Sequence, residues 1–221
     1  MIHGAMKKPS YYPNGKIKER WSSSKDNKIE TYEYFNESGI LVDTASYKNG
    51  LQDGAYEIYF DNGQLWDHGV FKEGKLHGRI ETFHENGRLS SEGNYKDGKL
   101  DGCHKTYFEN GKLESVEYGV NGYKSGFSES FYANGNTKSK GEINKDKSIY
   151  IENFYFENGI IEKEIRFKNN KLKYQKYDTN GLPFSEDSIE NNEPFGFCSE
   201  FLEDPFKYKV AISTQNGIDY E

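Results

Sequence analysis

An Asn-Gly pair returns every 24 residues along this chain. Its glycines are Gly15, Gly39 (where the pair is Ser-Gly), Gly63, Gly87, Gly111, Gly135 and Gly159, seven positions in one register. An eighth copy, Asn180-Gly181, arrives after 22 residues and breaks the period. Self-similarity at such a period marks a repeat architecture in which each copy is one supersecondary unit. Asn-Gly between apolar runs is a strong hairpin signal, because a type I′ turn needs φ > 0 at both central residues. A second turn, richer in glycine and read as looser, stands 11 residues further on at Gly50, Gly74, Gly98 and Gly122. Asp146 and Asn170 take that place in later copies, and both residue types tolerate positive φ.

Each unit therefore reads as strand, tight turn, strand, looser turn. The expected fold is all-β: an elongated antiparallel meander of tandem hairpins in a twisted single sheet. Roughly 14 strands at 4.8 Å spacing would run ~65 Å. The repeat columns say what should hold it together. Four residues before each turn glycine stands an aromatic: Tyr11, Phe35, Tyr59, Phe83, Tyr107, Phe131 and Tyr155. Two after it come Ile17, Leu41, Leu65, Leu89, Leu113, Thr137 and Ile161. The ring column is expected to be buried between neighbouring units. Ala45, Gly69, Gly93 and Gly141 form a column of small residues, and a ring lying over a strand glycine would cover its exposed backbone.

Composition supports a folded chain with a thin core of rings. Apolar residues make up only 33% of the 221, yet 16% are aromatic, and disordered segments are poor in aromatics. A net charge of −7 argues against a nucleic-acid backbone as partner, since no basic excess exists to release counterions. It also disfavours docking on anionic lipid, so membrane association is not expected. Cys103 and Cys198 lie 95 residues apart with no CxxC motif, which indicates neither zinc nor a disulfide framework and fits a reducing, cytoplasmic setting. No stretch approaches the ~18 apolar residues of a spanning helix, and residues 1–6 hold no apolar leader core.

Residues 93–102 (GNYKDGKLDG), followed by 107–111 (YFENG), resemble MORN repeats, and more closely the bacterial MORN-variant repeat. The likeness covers roughly 11–181 and is strongest over 40–126. It implies the same hairpin meander that the turn chemistry gives. It also implies a function class, since bacterial chains of this type are often assigned as antitoxin or immunity-like proteins. A fold does not fix a function, and the resemblance brings no catalytic residue with it. The expected organisation is an N-terminal tail (1–10), the repeat array (11–181), and a C-terminal cap (182–221) beginning with a polar loop at 185–193, because terminal elements of repeat proteins cover the exposed core.

The search for chemistry leaves little. Cys103 and His104 are neighbours on a strand, so they point to opposite faces and form no dyad. His68, His77 and His84 read as ordinary strand or turn residues. The Gly98–Gly102 segment lacks the strand–loop–helix context and the Gly-Lys-Ser/Thr ending of a phosphate loop. No catalytic residue, metal ligand or cofactor is assigned, and the chain is expected not to be an enzyme. Carboxylates recur beside the Asn-Gly turns at Glu37, Asp61, Glu85, Glu109 and Glu157. Exposed corners favour polar residues, and such a rail could also steer a cationic partner. The expected function is a protein-binding repeat module, an antitoxin or immunity-like protein that neutralises a cognate toxin by stoichiometric binding; the alternative is a structural or membrane-associated scaffold. Candidate partner-binding residues are the off-column aromatics Trp66, Tyr118, Tyr123 and Tyr132, with Asp61, Glu85 and Glu109.

Overall fold

The computed structural model describes residues 7–24, 28–120, 122–143, 149–168 and 171–190. The described residues form seventeen strands, and no helix among them is long and apolar enough to cross a membrane. Two compact units divide the protein between Tyr123 and Lys124. The first holds β1 (Ser10–Tyr11), β2 (Ile17–Ser23), β3 (Glu30–Phe35), β4 (Leu41–Lys48), β5 (Leu51–Tyr59) and β6 (Leu65–Lys72). It continues through β7 (Lys75–Leu76), β8 (Gly78–Phe83), β9 (Leu89–Lys96), β10 (Lys99–Tyr107) and β11 (Leu113–Val120). From β12 (Tyr123–Phe131) the second unit runs through β13 (Thr137–Ile143), β14 (Ile149–Tyr155), β15 (Ile161–Lys168), β16 (Lys171–Tyr177) and β17 (Pro183–Glu190). Within each unit the strands pair antiparallel in chain order, save that β6 pairs both with the two-residue β7 and, past it, with β8. Each unit is thus an open meander, as the turn spacing requires.

The two turn families exchange the geometries expected of them. At the 24-residue turns only the glycine has φ > 0, for instance Gly15 at 81° and Gly63 at 85°. Gly15 N–H donates to Tyr12 O at 2.9 Å, and Tyr12 N–H donates to Lys16 O at 2.9 Å. That pattern is a type I turn followed by a left-handed glycine, the three-residue hairpin loop with a G1 bulge. Pro13 carries the signal, because its fixed φ suits the first central position of a type I turn. The type I′ turns are the other set, where Asn49-Gly50, Glu73-Gly74 and Asp97-Gly98 all have both central residues at positive φ.

Side chains tie the bulged turns to one another. The Asn14, Asn86 and Asn134 Oδ1 atoms accept from the backbone N–H two residues on, at 2.8–3.0 Å. Asn14 Nδ2 then donates to Glu37 O at 3.1 Å, and Asn86 Nδ2 to Glu109 O at 2.9 Å, each in the following turn. Where Ser38 replaces Asn, Asn36 supplies the acceptor for Ser38 N–H and Ile40 N–H. The last turn uses Asp178 in the same way.

The core lies on one face of each meander. In the first unit Ala45, Tyr56 and Ile80 are buried, with Tyr47, Ile58, Phe71, Leu76 and Tyr95 packed against them. Gly69 and Gly93 belong to the same buried column, and the expected cover is present: a Cβ on Gly69 would stand 2.3 Å from Ile80 Cδ1 and 3.1 Å from a Tyr56 ring carbon. Two polar pairs on this face bond across the strands, Thr82 with Ser91 at 2.7 Å and Thr106 with Ser115 at 2.8 Å, as burial favours. The second unit buries Ile165, Phe167 and Leu172 among Tyr150, Phe154 and Tyr174.

Two further expectations need correction. The column of Tyr59, Phe83 and Tyr107 is only half-buried and lies on the opposite face from Tyr56 and Ile80. One face of a single-layer meander concentrates burial, and a regular sequence column does not reveal which face that is. Past Leu182, Pro183–Glu190 is a strand paired with β16 where the sequence read a polar loop at 185–193. Backbone pairing to an open edge overrides its polar composition. Residues 191–221, the remainder of the expected cap, lie outside the described residues.

Candidate protein-binding surface

Alternation along the strands puts a mostly charged row on the face away from Tyr56 and Ile80. Register lines it up from β2 to β10 as Arg20, Glu33, Thr44, Glu57, His68, Glu81, Glu92 and Lys105. Opposite charges meet across the ladder. Arg20 makes a bidentate pair with Glu33 at 2.6 and 2.7 Å. His68 Nε2 lies 3.1 Å from Glu81. Glu81 and Glu92 stand directly opposite one another, a pairing that like charge disfavours. Arg79 relieves it by reaching both, at 2.7 and 2.8 Å, and Lys105 adds a contact to Glu92 at 3.6 Å.

The ring column borders this row and is bonded into it. Tyr107 donates its hydroxyl to Glu92 at 2.7 Å, and Tyr59 donates to Glu57. Phe83 stacks on the His68 ring with centroids 5.8 Å apart, and the Arg20 guanidinium sits 5.4 Å from the Phe35 ring centroid. These partners set the proton affinities. The Tyr107 hydroxyl, with Lys105 and Arg79, holds Glu92 below the usual carboxylate range, and Arg20 does the same for Glu33. Tyr59 is pushed up to about 12 by its bond to Glu57. On the core face the sign reverses, where burial raises both Asp43 and Asp67. A carboxylate kept ionised by its neighbours suits electrostatic register across an interface better than proton donation.

The expected contact residues are placed unevenly. Trp66 is 46% exposed and Tyr118 44%. Trp66 occupies a β-bulge: Leu65 faces Tyr59 and Asp67 faces Ile58, leaving Trp66 without a ladder partner, a position that re-aims a side chain. Phe184, 64% exposed, holds the same bulge position between β16 and β17. Tyr118 stands opposite Cys103, on the charged face that also carries the exposed Val70 and Val120. His104, by contrast, packs at Gly93 on the core face, so Cys103 and His104 do diverge. Tyr132 is half-buried, its hydroxyl donating to Tyr155 O at 2.7 Å. Tyr123 begins β12, and its side chain lies outside the described residues.

Asp61, Glu85 and Glu109 are exposed at turn corners. Their column is real, with Asn36 Nδ2 donating to Asp61 O at 3.1 Å as Asn86 does to Glu109 O. The edge is nevertheless of mixed sign, because Lys16, Arg88 and Lys112 follow the turn glycines. Arg88 itself donates to Glu109 O at 3.1 Å. The Arg79–Glu81–Glu92–Lys105 network was missed by sequence reasoning. Its signal was the exact cross-strand register, which the bulge after each turn shifts by one residue.

The family model of the MORN repeat variant matches residues 8–24, 52–73, 76–97, 100–121 and 151–169. No curated protein matches the chain. Among solved structures, a chain of the TcdB2-TccC3 crystal structure is 12% identical with a TM-score of 0.27, covering 85% of this chain and 13% of that one. A chain of TcdB2-TccC3-TEV is 10% identical with a TM-score of 0.25, covering 83% and 13%. This protein therefore spans about an eighth of their length, and likeness at that level carries no functional argument.

Proposed function

We propose that this chain, which is built of MORN-variant repeats, is a protein-binding module that neutralises a toxic protein by stoichiometric occlusion, as an antitoxin or immunity-like protein would. The observation that carries the binding reading is the charged face of the first unit. There Val70, Tyr118 and Val120 stay exposed around carboxylates already held in register by Arg79 and Lys105. Aromatic anchors ringed by ordered polar groups are the usual makings of an interface hot spot. An open sheet face can supply the ~800 Å² that a stable interface needs from each partner. The reading involves no catalytic step and places the protein in the cytoplasm, where the Cys103 thiol would stay reduced.

Capture from the native host with the full chain as bait, followed by mass spectrometry, tests the reading. A stoichiometric partner whose toxicity on expression is relieved by this chain is the expected result. Tyr118→Ala should weaken that complex by roughly thirtyfold, the effect of losing an interface anchor of about 2 kcal/mol. Recovery of lipid or of a cytoskeletal assembly with no toxic partner would replace this reading with a scaffold.

A further inference from the structure

Asn-Gly occurs ten times in this chain, and the two turn families treat the pair differently. We infer that Asn49-Gly50 is a site of spontaneous backbone modification, deamidating through a succinimide, while the bulged-turn pairs are protected. In that reaction the Gly50 nitrogen attacks the Asn49 side-chain carbonyl carbon. The new N–Cγ bond forms as the Cγ–Nδ2 bond breaks, and the side-chain nitrogen leaves as ammonia with the proton that Gly50 gives up. Water then opens the ring on either side to leave aspartate or isoaspartate. No oxidant or cofactor takes part.

Protection in the bulged turns is visible at both reacting groups. The nucleophile is engaged: Gly15 N–H donates to Tyr12 O at 2.9 Å, Gly87 N–H to His84 O at 2.8 Å, and Gly135 N–H to Tyr132 O at 2.8 Å. The electrophile is engaged as well. The Asn14 and Asn86 side-chain amides are held at both ends, accepting from the residue two on and donating to the next turn. Attack needs the amide to swing onto the glycine nitrogen, so these bonds must break first.

Asn49-Gly50 has neither restraint among the described residues. Both residues are exposed, at φ 53° and 80°, and no hydrogen bond holds the Asn49 amide or the Gly50 N–H. The later turns of this family differ: Gly74, Gly98 and Gly122 donate to Gln52 O, Leu76 O and Leu100 O, each in the preceding unit, and Gly50 makes no such bond among the described residues. Modification would add a negative charge beside Lys48. As isoaspartate it would insert a carbon into a two-residue turn whose closing pair is Lys48 and Leu51.

The full chain, kept folded in mildly alkaline buffer and mapped by proteolysis and mass spectrometry over time, tests the assignment. The peptide holding Asn49 should gain the mass of deamidation on the order of tenfold faster than those holding Asn14 and Asn86, since three hydrogen bonds restrain the reacting groups there. In denaturant the three rates should converge. Equal rates in the folded protein, or an Asn49 lead that persists unchanged in denaturant, would overturn it.

Discussion

The buried clusters of the two units fill one repeat position in opposite ways. In the first, the small-residue column holds Gly69 and Gly93, and bulk comes from the strands beside it: Tyr56 and Ile80 lie over the bare backbone of Gly69, and His104 and Leu100 over that of Gly93. The second unit keeps the small residue at Gly141, but in its buried cluster Ile165 occupies that position itself, with Phe167 and Leu172. The row two residues earlier differs too. The first unit has Asp67, which accepts the Tyr56 hydroxyl at 2.8 Å. The second has Lys163, its ammonium 3.9 Å from the centroid of the Phe154 ring. One backbone plan thus accepts either ring-on-glycine or aliphatic packing, provided the volume across neighbouring strands is conserved.

The sharpest way to break this comparison is to empty the aliphatic core. Leu172 is 3% exposed, so Leu172→Ala should cost about 2–5 kcal/mol in equilibrium denaturation of the full chain. A loss under about 1 kcal/mol would mean that the second unit does not rest on this cluster. The glycine column should fail in the other direction. Gly69→Ala drives a methyl into Ile80 and the Tyr56 ring, an overpacking expected to cost about 1–3 kcal/mol. Ile80→Val in the same chain should recover part of that loss, and strict additivity of the two changes would show that they do not touch.

Phe83→Ala should be milder than either core change, about 1–2 kcal/mol, because the ring is half-buried against His68 and loses only part of its transfer energy. A loss matching Leu172→Ala would restore the ring column as the true core. The smallest effect is a pH dependence, stated as a direction. Burial raises the Asp43 pKa in the folded chain, so its ionised form is disfavoured there relative to the unfolded chain. The resulting penalty is absent below the ordinary Asp range and complete above the raised value. Asp43→Asn should therefore stabilise the chain at neutral pH and lose that advantage on acidification. Glu33 and Glu92 act with the opposite sign. Their lowered pKa values contribute stability above the ordinary Glu range that is lost as pH falls through the depressed values. Thermal melts of Asp43→Asn and Glu92→Gln across acidic pH should diverge, and parallel curves would erase the distinction between the two faces.

Strand content, hairpin order and the repeat were all legible from the residues, because turn chemistry is local. A glycine at positive φ, a preceding Asn that bonds two residues on, and a Pro at a type I corner act over four or five positions. So the turn glycines at 24-residue spacing predicted the meander without knowledge of any distant contact. Even there, which turn family was type I′ hung on hydrogen bonds that close between strands, as Tyr12 does with Lys16. What the residues could not decide was which face buries its side chains. Tyr59 belongs to a column that is aromatic in all seven copies, whereas the Tyr56 column runs on through Ile80, His104 and Ser128. Only Tyr56 lies in the core, 5% exposed, because it meets Gly69 across the ladder while Tyr59 shares the other face with Glu57. The bulge after each turn then shifts the register, leaves Trp66 unpaired and brings Arg79 between Glu81 and Glu92. Burial and register are sums over neighbouring strands, and only the assembled sheet evaluates them.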